Sequence, residues 1–301
     1  MKENNVLGAD ENMAQTPIDI DGFSIIKRIG TGARSVIYMA QDEETRQMVA
    51  LKRAVFESPE DQRIFEQMEV EYLVANHLDH PYLRKCYKMI RKRKFMRTQE
   101  LVMTMELFDG QSLEDLGRLS LGDVLLVFRM VASALNAMHQ KGYVHCDIKP
   151  NNILFNKAGA IKIIDFGQSC RIGHIKKRIQ GTPEYIAPEQ VRREHLSHRT
   201  DIFNLGATLY WALTGRHVPT LIQRTNDFGL SVAEPPEFKA PHEIYKKIPR
   251  ELSELVSRCV QDKPADRPSN MSEIIAQLDM MIREIFQSRL TTNAPAGNPT
   301  L

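Results

Sequence analysis

This chain of 301 residues has few cysteines, a single tryptophan and almost no net charge. These low values argue against several classes of protein. The 4 cysteines lie far apart, with no C-x-x-C motif and no zinc-like pairing of His with Cys, which favours reduced thiols over a disulfide framework or a zinc site. The 40 Lys and Arg residues nearly balance the 38 Asp and Glu residues, so the formal charge of +2 gives no global case for binding nucleic acid. We therefore predict a cytoplasmic protein without a nucleic-acid partner.

Long apolar runs and a signal peptide are also lacking. No stretch approaches the about 18–20 apolar residues that a membrane-spanning helix needs, which predicts a protein without membrane insertion. Residues 1–20 are polar, and residues 290–301 are rich in Pro, Gly, Asn and Thr. Because neither end shows periodicity, we predict a disordered N-terminal arm and a disordered C-terminal tail. The sequence does not set the oligomeric state.

Between the two ends the pattern changes character once. Residues 21–107 consist mainly of short runs with β-type composition, interrupted by one segment of helical spacing near residues 60–78. Residues 111–289 show mainly helical patterns. This order predicts an α+β fold with a small β-rich N-lobe and a larger helical C-lobe, joined by a hinge at residues 106–110. A cleft at such a hinge is the expected place for a ligand.

Three polar elements of the predicted N-lobe are candidates for a phosphate site. Gly30 and Gly32 lie between two strand patterns, where glycines let the backbone approach phosphate oxygens, although such a pattern alone is far more often an ordinary hairpin turn. Lys52 ends an apolar run and reads by itself as a solvated cation at the end of a strand. Glu71 lies near the apolar side of the predicted helix, where a carboxylate needs a partner.

Two later segments carry the strongest signal. Residues 144–154 read VHCDIKPNNIL and residues 164–167 read IDFG, and together these H-x-D-x-K-x-x-N and D-F-G motifs resemble those of the protein-kinase superfamily. The resemblance implies a bilobal protein-kinase fold over residues 21–289, with ATP and Mg²⁺ as cofactors and Mn²⁺ as a substitute for Mg²⁺. Further matches in family order are residues 181–189 (GTPEYIAPE), Asp201, Gly206, and Arg267, which the family pairs with Glu189.

The resemblance also implies the catalytic roles. Lys52 would contact the α- and β-phosphates and would be oriented by an ion pair with Glu71. Asp147 would accept the proton of the substrate hydroxyl, and Lys149 would stabilise the γ-phosphate during transfer. Phosphoryl transfer needs such residues because catalysis rests on positioning and on the neutralisation of charge.

The remaining implied contacts hold the metal and the nucleotide. Asp165 and Asn152 would bind Mg²⁺, which prefers hard oxygen ligands. Met105 would limit the depth of the adenine pocket, and Glu106 and Phe108 would offer backbone groups to the adenine. Ile37, Ala50 and Leu154 would sandwich the ring, with plain core packing as their alternative. The implied nucleotide-binding residues are Gly30, Gly32, Ser35, Ile37, Ala50, Lys52, Met105, Glu106, Phe108, Ser112 and Leu154.

The substrate class follows from Lys149 and Thr182, which match the pattern of Ser/Thr kinases. The sequences of residues 181–190 and 201–215 look most like those of the eukaryotic-like Ser/Thr kinases of bacteria. A pseudokinase-type scaffold is one alternative, but it predicts loss of a catalytic or metal-binding residue, and all of these are present. A small-molecule phosphotransferase is the other, but such enzymes usually lack the peptide platform at residues 182–189.

Three departures from the family pattern bear on control. Ser35 replaces the third glycine of the phosphate loop, and Cys146 replaces the catalytic-loop arginine, which makes the chain a "non-RD" kinase. In relatives that arginine binds the phosphate of a phosphorylated activation loop. Here residues 168–180 have no Ser, Thr or Tyr near the usual phosphosite, where Arg178 stands. We therefore predict a kinase that needs no activation-loop phosphorylation, held by its own contacts or by an acidic partner.

The same loop contains basic residues but no acidic ones, and its basic residues are Arg171, His174, Lys176, Lys177 and Arg178. A solvated loop is the simpler interpretation, and a docking surface for acidic substrates or partners is the other. The basic run at residues 91–94 likewise reads as a solvated hairpin tip or as a docking patch.

Overall fold

The N-terminal part of the protein is a five-stranded antiparallel sheet. Its strands are β1 (Phe23–Thr31), β2 (Val36–Asp42), β3 (Met48–Val55), β4 (Cys86–Lys94) and β5 (Arg97–Glu106). They lie in the order β1-β2-β3-β5-β4, and each hydrogen-bonded pair is antiparallel. The structure is a computed structural model and describes residues 20–32, 34–224, 230–232 and 235–292.

One helix, α1 (Gln62–Asn76), interrupts the strands and packs against β4 and β5. It follows a short 3-10 turn in which the carboxylate of Asp61 accepts hydrogen bonds from the backbone N–H groups of Glu57 and Ser58, at 2.9 and 2.7 Å. Its buried residues are Phe65, Met68, Glu71, Val74 and Ala75. Because their spacing of three and four residues places them on one face, Glu71 is a carboxylate on the side of the helix that faces the sheet.

The C-terminal part is mainly helical. Its helices are α2 (Leu113–Leu116), α3 (Leu121–Gln140), α4 (Pro188–Arg192), α5 (His198–Thr214), α6 (Pro241–Ile244), α7 (Arg250–Cys259) and α8 (Met271–Thr292). The strands among them are β6 (Gln111–Ser112), β7 (Tyr143–Val144), β8 (Ile153–Phe155), β9 (Ile161–Ile163), β10 (Cys170–Arg171), β11 (Ile222–Arg224) and β12 (Leu230–Val232). Strands β6, β8 and β9 form one small sheet, while β7 pairs with β10 and β11 with β12. The predicted α+β fold with two lobes is confirmed.

Helix α3 forms the centre of the C-lobe core, where it packs against α5 and α8. Val127, Phe128 and Val131 have no exposed surface. By length and by a mean hydropathy of 1.5, α3 nevertheless meets the criteria for a membrane-spanning helix, and it is the one helix in the described part of the chain that does so. The expectation that no stretch approaches this length is therefore wrong for α3, most of whose apolar residues are buried in the protein core here.

A buried ion pair joins two segments of the C-lobe. The two Nη atoms of Arg267 donate to the carboxylate of Glu189 at 2.8 and 2.9 Å. Arg267 also donates to the backbone carbonyls of Gln261, Arg199 and Asp262, so its guanidinium is well provided with acceptors. These hydrogen bonds offset the free-energy cost of removing the charges of Arg267 and Glu189 from water.

The ends of the domain differ slightly from expectation. Ile20, the last residue of the predicted arm, is buried and bridges to Phe23. Helix α8 ends at Thr292, inside the tail predicted for residues 290–301. The remaining parts of that arm and tail lie outside the described residues.

Candidate active site

A cavity of about 890 Å³ opens between the two lobes. Its walls come from the β1–β2 turn, from β3, from the hinge and from the catalytic loop, which we define as residues 145–152. The sequence-predicted residues that line it are Gly30, Gly32, Ser35, Ile37, Ala50, Lys52, Glu106, Phe108, Ser112, Asp147, Lys149, Asn152, Leu154 and Asp165. Motifs that are far apart in sequence are thus brought to one site.

Lys52 and Glu71 form a buried ion pair, with Nζ of Lys52 lying 2.7 Å from Oε2 of Glu71. Burial lowers the pKa of Lys52, but the charges of Glu71 and Asp165 outweigh burial, and the pKa lies above its ordinary value. Lys52 is therefore a fixed cation facing the cavity. Two other acids of α1, Glu66 and Glu69, are exposed.

A second cation, Arg84, shares Glu71. Its Nη2 donates to Oε1 of Glu71 at 3.0 Å, and the side chain is buried at the back of the cavity. Within the described residues, Nε of Arg84 has no hydrogen-bond partner. Sequence analysis missed this residue, and it also missed Asp115, which lines the cavity near the hinge.

The catalytic-loop carboxylate of Asp147 lies in a cluster with Lys149 and Thr182. The hydroxyl and the backbone N–H of Thr182 donate to Oδ1 of Asp147 at 2.8 and 3.0 Å. Nζ of Lys149 lies 2.7 Å from Oγ1 of Thr182 and 3.0 Å from Oδ2 of Asp147. Nδ2 of Asn152 donates to the Asp147 carbonyl at 2.9 Å. These contacts hold a carboxylate and an ammonium group side by side at the cavity.

The backbone of the two residues before Asp147 is held by hydrogen bonds to Asp201, a buried residue of α5. Its Oδ2 accepts from the His145 N–H at 2.9 Å and from Nε2 of His139 at 2.8 Å, and its Oδ1 accepts from the Cys146 N–H at 2.8 Å. Burial raises the pKa of Asp201, but the hydrogen bond from His139 and the other contacts outweigh burial, and the pKa lies below its ordinary value. Cys146 has a φ of 67°, a left-handed conformation that these contacts help to maintain.

Asp165 also adopts a left-handed conformation, with a φ of 66°. Burial raises its pKa, but the Lys52 charge and weaker contributions outweigh burial, so the pKa lies below its ordinary value and the group is ionised. The next residue, Phe166, is fully buried and packs edge-on against the His145 ring, with centroids 5.6 Å apart. This packing fixes the segment that carries Asp165.

The side chains of three implied nucleotide-binding residues contact other parts of the protein. Met105 is fully buried in the core and is not among the residues that line the cavity. The side chain of Glu106 forms an ion pair with Lys162 at 2.8 Å. Ser112 caps α2, because its Oγ accepts from the Asp115 N–H at 3.2 Å and donates to the Asp115 carboxylate at 2.6 Å.

Comparison with known proteins identifies this arrangement. Residues 23–279 match the family model described as the protein kinase domain. The chain belongs to the protein kinase domain family. Three relatives support the Ser/Thr type, and the predicted resemblance to this superfamily, including its bacterial members, is confirmed.

For two of these relatives, the match with this chain covers most of the relative's own length. The chain is 31% identical to the serine/threonine-protein kinase ppk11 of Schizosaccharomyces pombe, over 80% of this chain and 76% of that protein. It is 29% identical to the serine/threonine-protein kinase PknL of Mycobacterium tuberculosis, over 92% of this chain and 69% of that protein. A probable serine/threonine-protein kinase of Clostridium perfringens is 27% identical over 87% of this chain, which spans only 38% of that relative's length.

The activation loop of this kinase domain (residues 168–180) is held by contacts from the rest of the C-lobe. The Gly173 N–H donates to the Leu196 carbonyl at 2.7 Å. Nε2 of Gln190 donates to the carbonyl of Gln180 at 3.1 Å and to the carbonyl of Cys146 at 2.8 Å. One side chain therefore links the end of the activation loop to the catalytic loop.

Lys176 does not belong to the exposed basic surface that the sequence suggested. Its side chain is buried, and its Nζ donates to the carbonyl of Gln168 within the same loop. Arg171 is exposed, but its guanidinium lies over the ring of Tyr143, 4.0 Å from the centroid. The remaining exposed basic residues of the loop are His174, Lys177 and Arg178.

The oxygen donors in the cavity fit a metal that is shared with a ligand. Among the described residues, no group of three or more His, Cys, Asp or Glu side chains could hold a metal by itself. Asp165 and Asn152 both line the cavity, and the Asp165 carboxylate is ionised. Such a donor set suits Mg²⁺, which is usually held by one or two protein oxygens together with phosphate oxygens and water.

Proposed function

We propose that this kinase domain is an ATP- and Mg²⁺-dependent enzyme that transfers the γ-phosphate to Ser and Thr hydroxyls of proteins. The observation that carries this proposal is the cluster of Asp147, Lys149 and Thr182, which lies on the same cavity as Lys52. A scaffold without catalysis would not need these groups held within hydrogen-bonding distance. A small-molecule phosphotransferase would not need Thr182 and the platform that follows it.

Each side chain then has a definite task. ATP supplies the phosphoryl group when bound, and Mg²⁺ held by Asp165 and Asn152 neutralises phosphate charge. Lys52, held by Glu71, offers a fixed cation to the phosphate oxygens. Asp147 orients the substrate hydroxyl and accepts its proton, and Lys149 places positive charge beside the transferred group.

The walls of the cavity are suited to a purine. Ile37 and Ala50 from the N-lobe and Leu154 from the C-lobe contribute apolar surface to it. The backbone of Glu106 and Phe108 at the hinge offers the polar groups that would fix the ring. Gly30 and Gly32 leave room for phosphate oxygens to approach the backbone of the β1–β2 turn.

Activity without activation-loop phosphorylation is the second part of the proposal. The arginine that would receive a loop phosphate is replaced by Cys146, and Arg178 stands at the usual phosphosite. The loop is held instead by other hydrogen bonds, namely the one between Gly173 and Leu196 and the one from Gln190 to the Gln180 carbonyl. These contacts favour a constitutive enzyme over one that waits for an acidic partner.

The remaining predictions about partners and location stay open. The exposed His174, Lys177 and Arg178 are suited either to solvent or to an acidic peptide segment, and no contact among the described residues favours one of these interpretations. The cytoplasmic location, the absence of a nucleic-acid partner and the absence of membrane insertion stay predictions from composition.

A transfer assay tests the proposal. Purified protein is incubated with γ-labelled ATP and Mg²⁺, with casein as an acidic substrate and myelin basic protein as a basic one, and the products are mapped by mass spectrometry. We expect label on Ser and Thr, with a ratio between the two substrates that reports the charge preference. Label mainly on Tyr, or no label on any protein, would overturn the proposal.

A further inference from the structure

Two cysteines lie in contact beside the catalytic loop. Sγ of Cys146 lies 3.8 Å from Sγ of Cys170. Cys146 immediately precedes Asp147, and Cys170 begins β10, where it lies opposite Val144 of β7. The two side chains share a small apolar cluster with Val144 and Leu196. A dithiol therefore connects the catalytic loop to the activation loop.

The two thiols are chemically unequal. Cys146 is fully buried, whereas Cys170 is partly exposed. The hydrogen bond from Cys146 lowers the pKa of Cys170, and although burial opposes this effect, the nearby charge of Lys176 assists it. The same contact together with burial raises the pKa of Cys146. Cys170 is thus the thiol with more thiolate character and better access, as expected of a reactive cysteine.

The other two cysteines provide a contrast. Cys86 and Cys259 are buried, and burial raises the pKa of each to about 12. Neither has a thiol neighbour among the described residues. Both are expected to stay inert under conditions in which Cys170 reacts.

We propose that Cys146 and Cys170 are a site of reversible oxidation that forms a disulfide on reaction with a hydroperoxide. The Cys170 thiolate attacks one peroxide oxygen, the O–O bond breaks, and Cys170 becomes a sulfenic acid while the other oxygen leaves as hydroxide and takes up a proton. The Cys146 sulfur then attacks the Cys170 sulfur, the S–O bond breaks, and the departing hydroxide takes the Cys146 proton to form water. One dithiol is oxidised by two electrons, and one hydrogen peroxide is reduced to two waters.

The position of the pair gives the disulfide a consequence for the active site. A disulfide has a sulfur–sulfur distance of about 2.05 Å, so the two sulfurs must approach each other from 3.8 Å. The Cys146 backbone is held at both ends, by Asp201 at its N–H and by Gln190 at its carbonyl. Closing the bond therefore displaces either β10 or the loop that carries Asp147, and we expect phosphotransfer to fall at least tenfold. This second expectation rests on the proposed function, whereas the disulfide itself does not.

Peptide mapping tests the disulfide directly. The reduced protein is treated with hydrogen peroxide, free thiols are alkylated, and a non-reducing digest is analysed by mass spectrometry. We expect a linked peptide pair containing Cys146 and Cys170 that disappears after treatment with dithiothreitol. Cys259→Ser is the matched control and should form the same link, whereas Cys170→Ser should not.

A second variant keeps the test decisive if Cys170→Ser is poorly folded. In Cys146→Ser the sulfenic acid has no neighbouring thiol to attack it, so Cys170 should be captured by dimedone in larger amount than in the unaltered protein. If Cys146 and Cys170 remain unlinked, or are oxidised only to sulfinic acids, the proposal is wrong. If the protein forms the Cys146–Cys170 disulfide and its phosphotransfer is unchanged, the expected effect on Asp147 is wrong. If the reduced protein, without the disulfide, shows no phosphotransfer, only the proposed function is contradicted.

Discussion

Arg84 donates a 3.0 Å hydrogen bond to Oε1 of Glu71, the carboxylate whose other oxygen lies 2.7 Å from Nζ of Lys52. Two buried cations therefore depend on one buried anion, and each occupies a separate oxygen. Such an arrangement limits the freedom of Lys52, because Glu71 cannot turn away from it without also losing Arg84. We infer that Arg84 helps to keep the ion pair of the active site in place.

Glu71→Gln should therefore affect more than a single contact. The substitution keeps the shape of the side chain but removes the charge that both Lys52 and Arg84 need, and we expect kcat/KM to fall about 100-fold as Lys52 loses its position. Glu66→Gln is the matched control, because Glu66 lies exposed on the same helix. Steady-state phosphotransfer by the two variants measures the difference. Equal activities in the two would show that the Lys52–Glu71 pair does not serve catalysis.

Much of this site could be predicted from the sequence, because its motifs are local and chemically specific. The catalytic-loop residues and Asp165 are identified by the resemblance of their motifs to those of the protein-kinase superfamily, and strands such as β3 follow from their apolar pattern. Arg84 and Lys176 could not be predicted, because a charged residue is normally expected at the surface. Only the folded chain shows that their partners, Glu71 and the Gln168 carbonyl, lie within reach.

The missed elements of the fold have a different cause. Segments such as α4 (Pro188–Arg192) and β10 (Cys170–Arg171) are too short to show a period of their own. They form because the tertiary structure supplies their partners, as β7 does for β10. The contact between Cys146 and Cys170 depends on that pairing and has no signal in the linear sequence.

Thr182 should contribute through its hydroxyl. Thr182→Val removes the group that donates to Asp147 and accepts from Lys149, and hydrogen bonds to charged groups contribute about 1.5–3 kcal/mol. We therefore expect kcat to fall about 10- to 100-fold, with Thr182→Ser retaining most of the activity. Wild-type activity in Thr182→Val would show that the cluster does not require this hydroxyl.

Gly206 should be sensitive to the smallest enlargement. A Cβ at Gly206 would lie 2.4 Å from Cβ of Cys259, so Gly206→Ala must separate α5 from α7 and should lower the free energy of unfolding by about 1–3 kcal/mol. Gly122→Ala is the control, because its Cβ would meet nothing closer than Oγ of Ser120 at 3.9 Å. That change should be neutral or stabilising by up to about 1 kcal/mol. Denaturant titration compares them, and similar stabilities would refute the packing argument.

Dephosphorylation should leave the enzyme active. The purified kinase is treated with a broad phosphatase, dephosphorylation is confirmed by mass spectrometry, and phosphotransfer is measured again. We expect less than a tenfold change, because the activation loop is fastened by Gln190 and by its hydrogen bond to Leu196. A larger drop, about 1.4 kcal/mol or more in barrier, that is restored by phosphate within residues 168–182 would contradict this expectation.

The most direct test of the central claim is transfer of label from γ-labelled ATP by Asp165→Asn and by Lys52→Met. Both residues are proposed to act on phosphate charge rather than on packing, so we predict that transfer is abolished while thermal unfolding stays cooperative. Asp79→Asn, a change of the same kind at an exposed residue, should retain full activity. Wild-type transfer by either Asp165→Asn or Lys52→Met, in protein free of contaminating kinases, would contradict the mechanism.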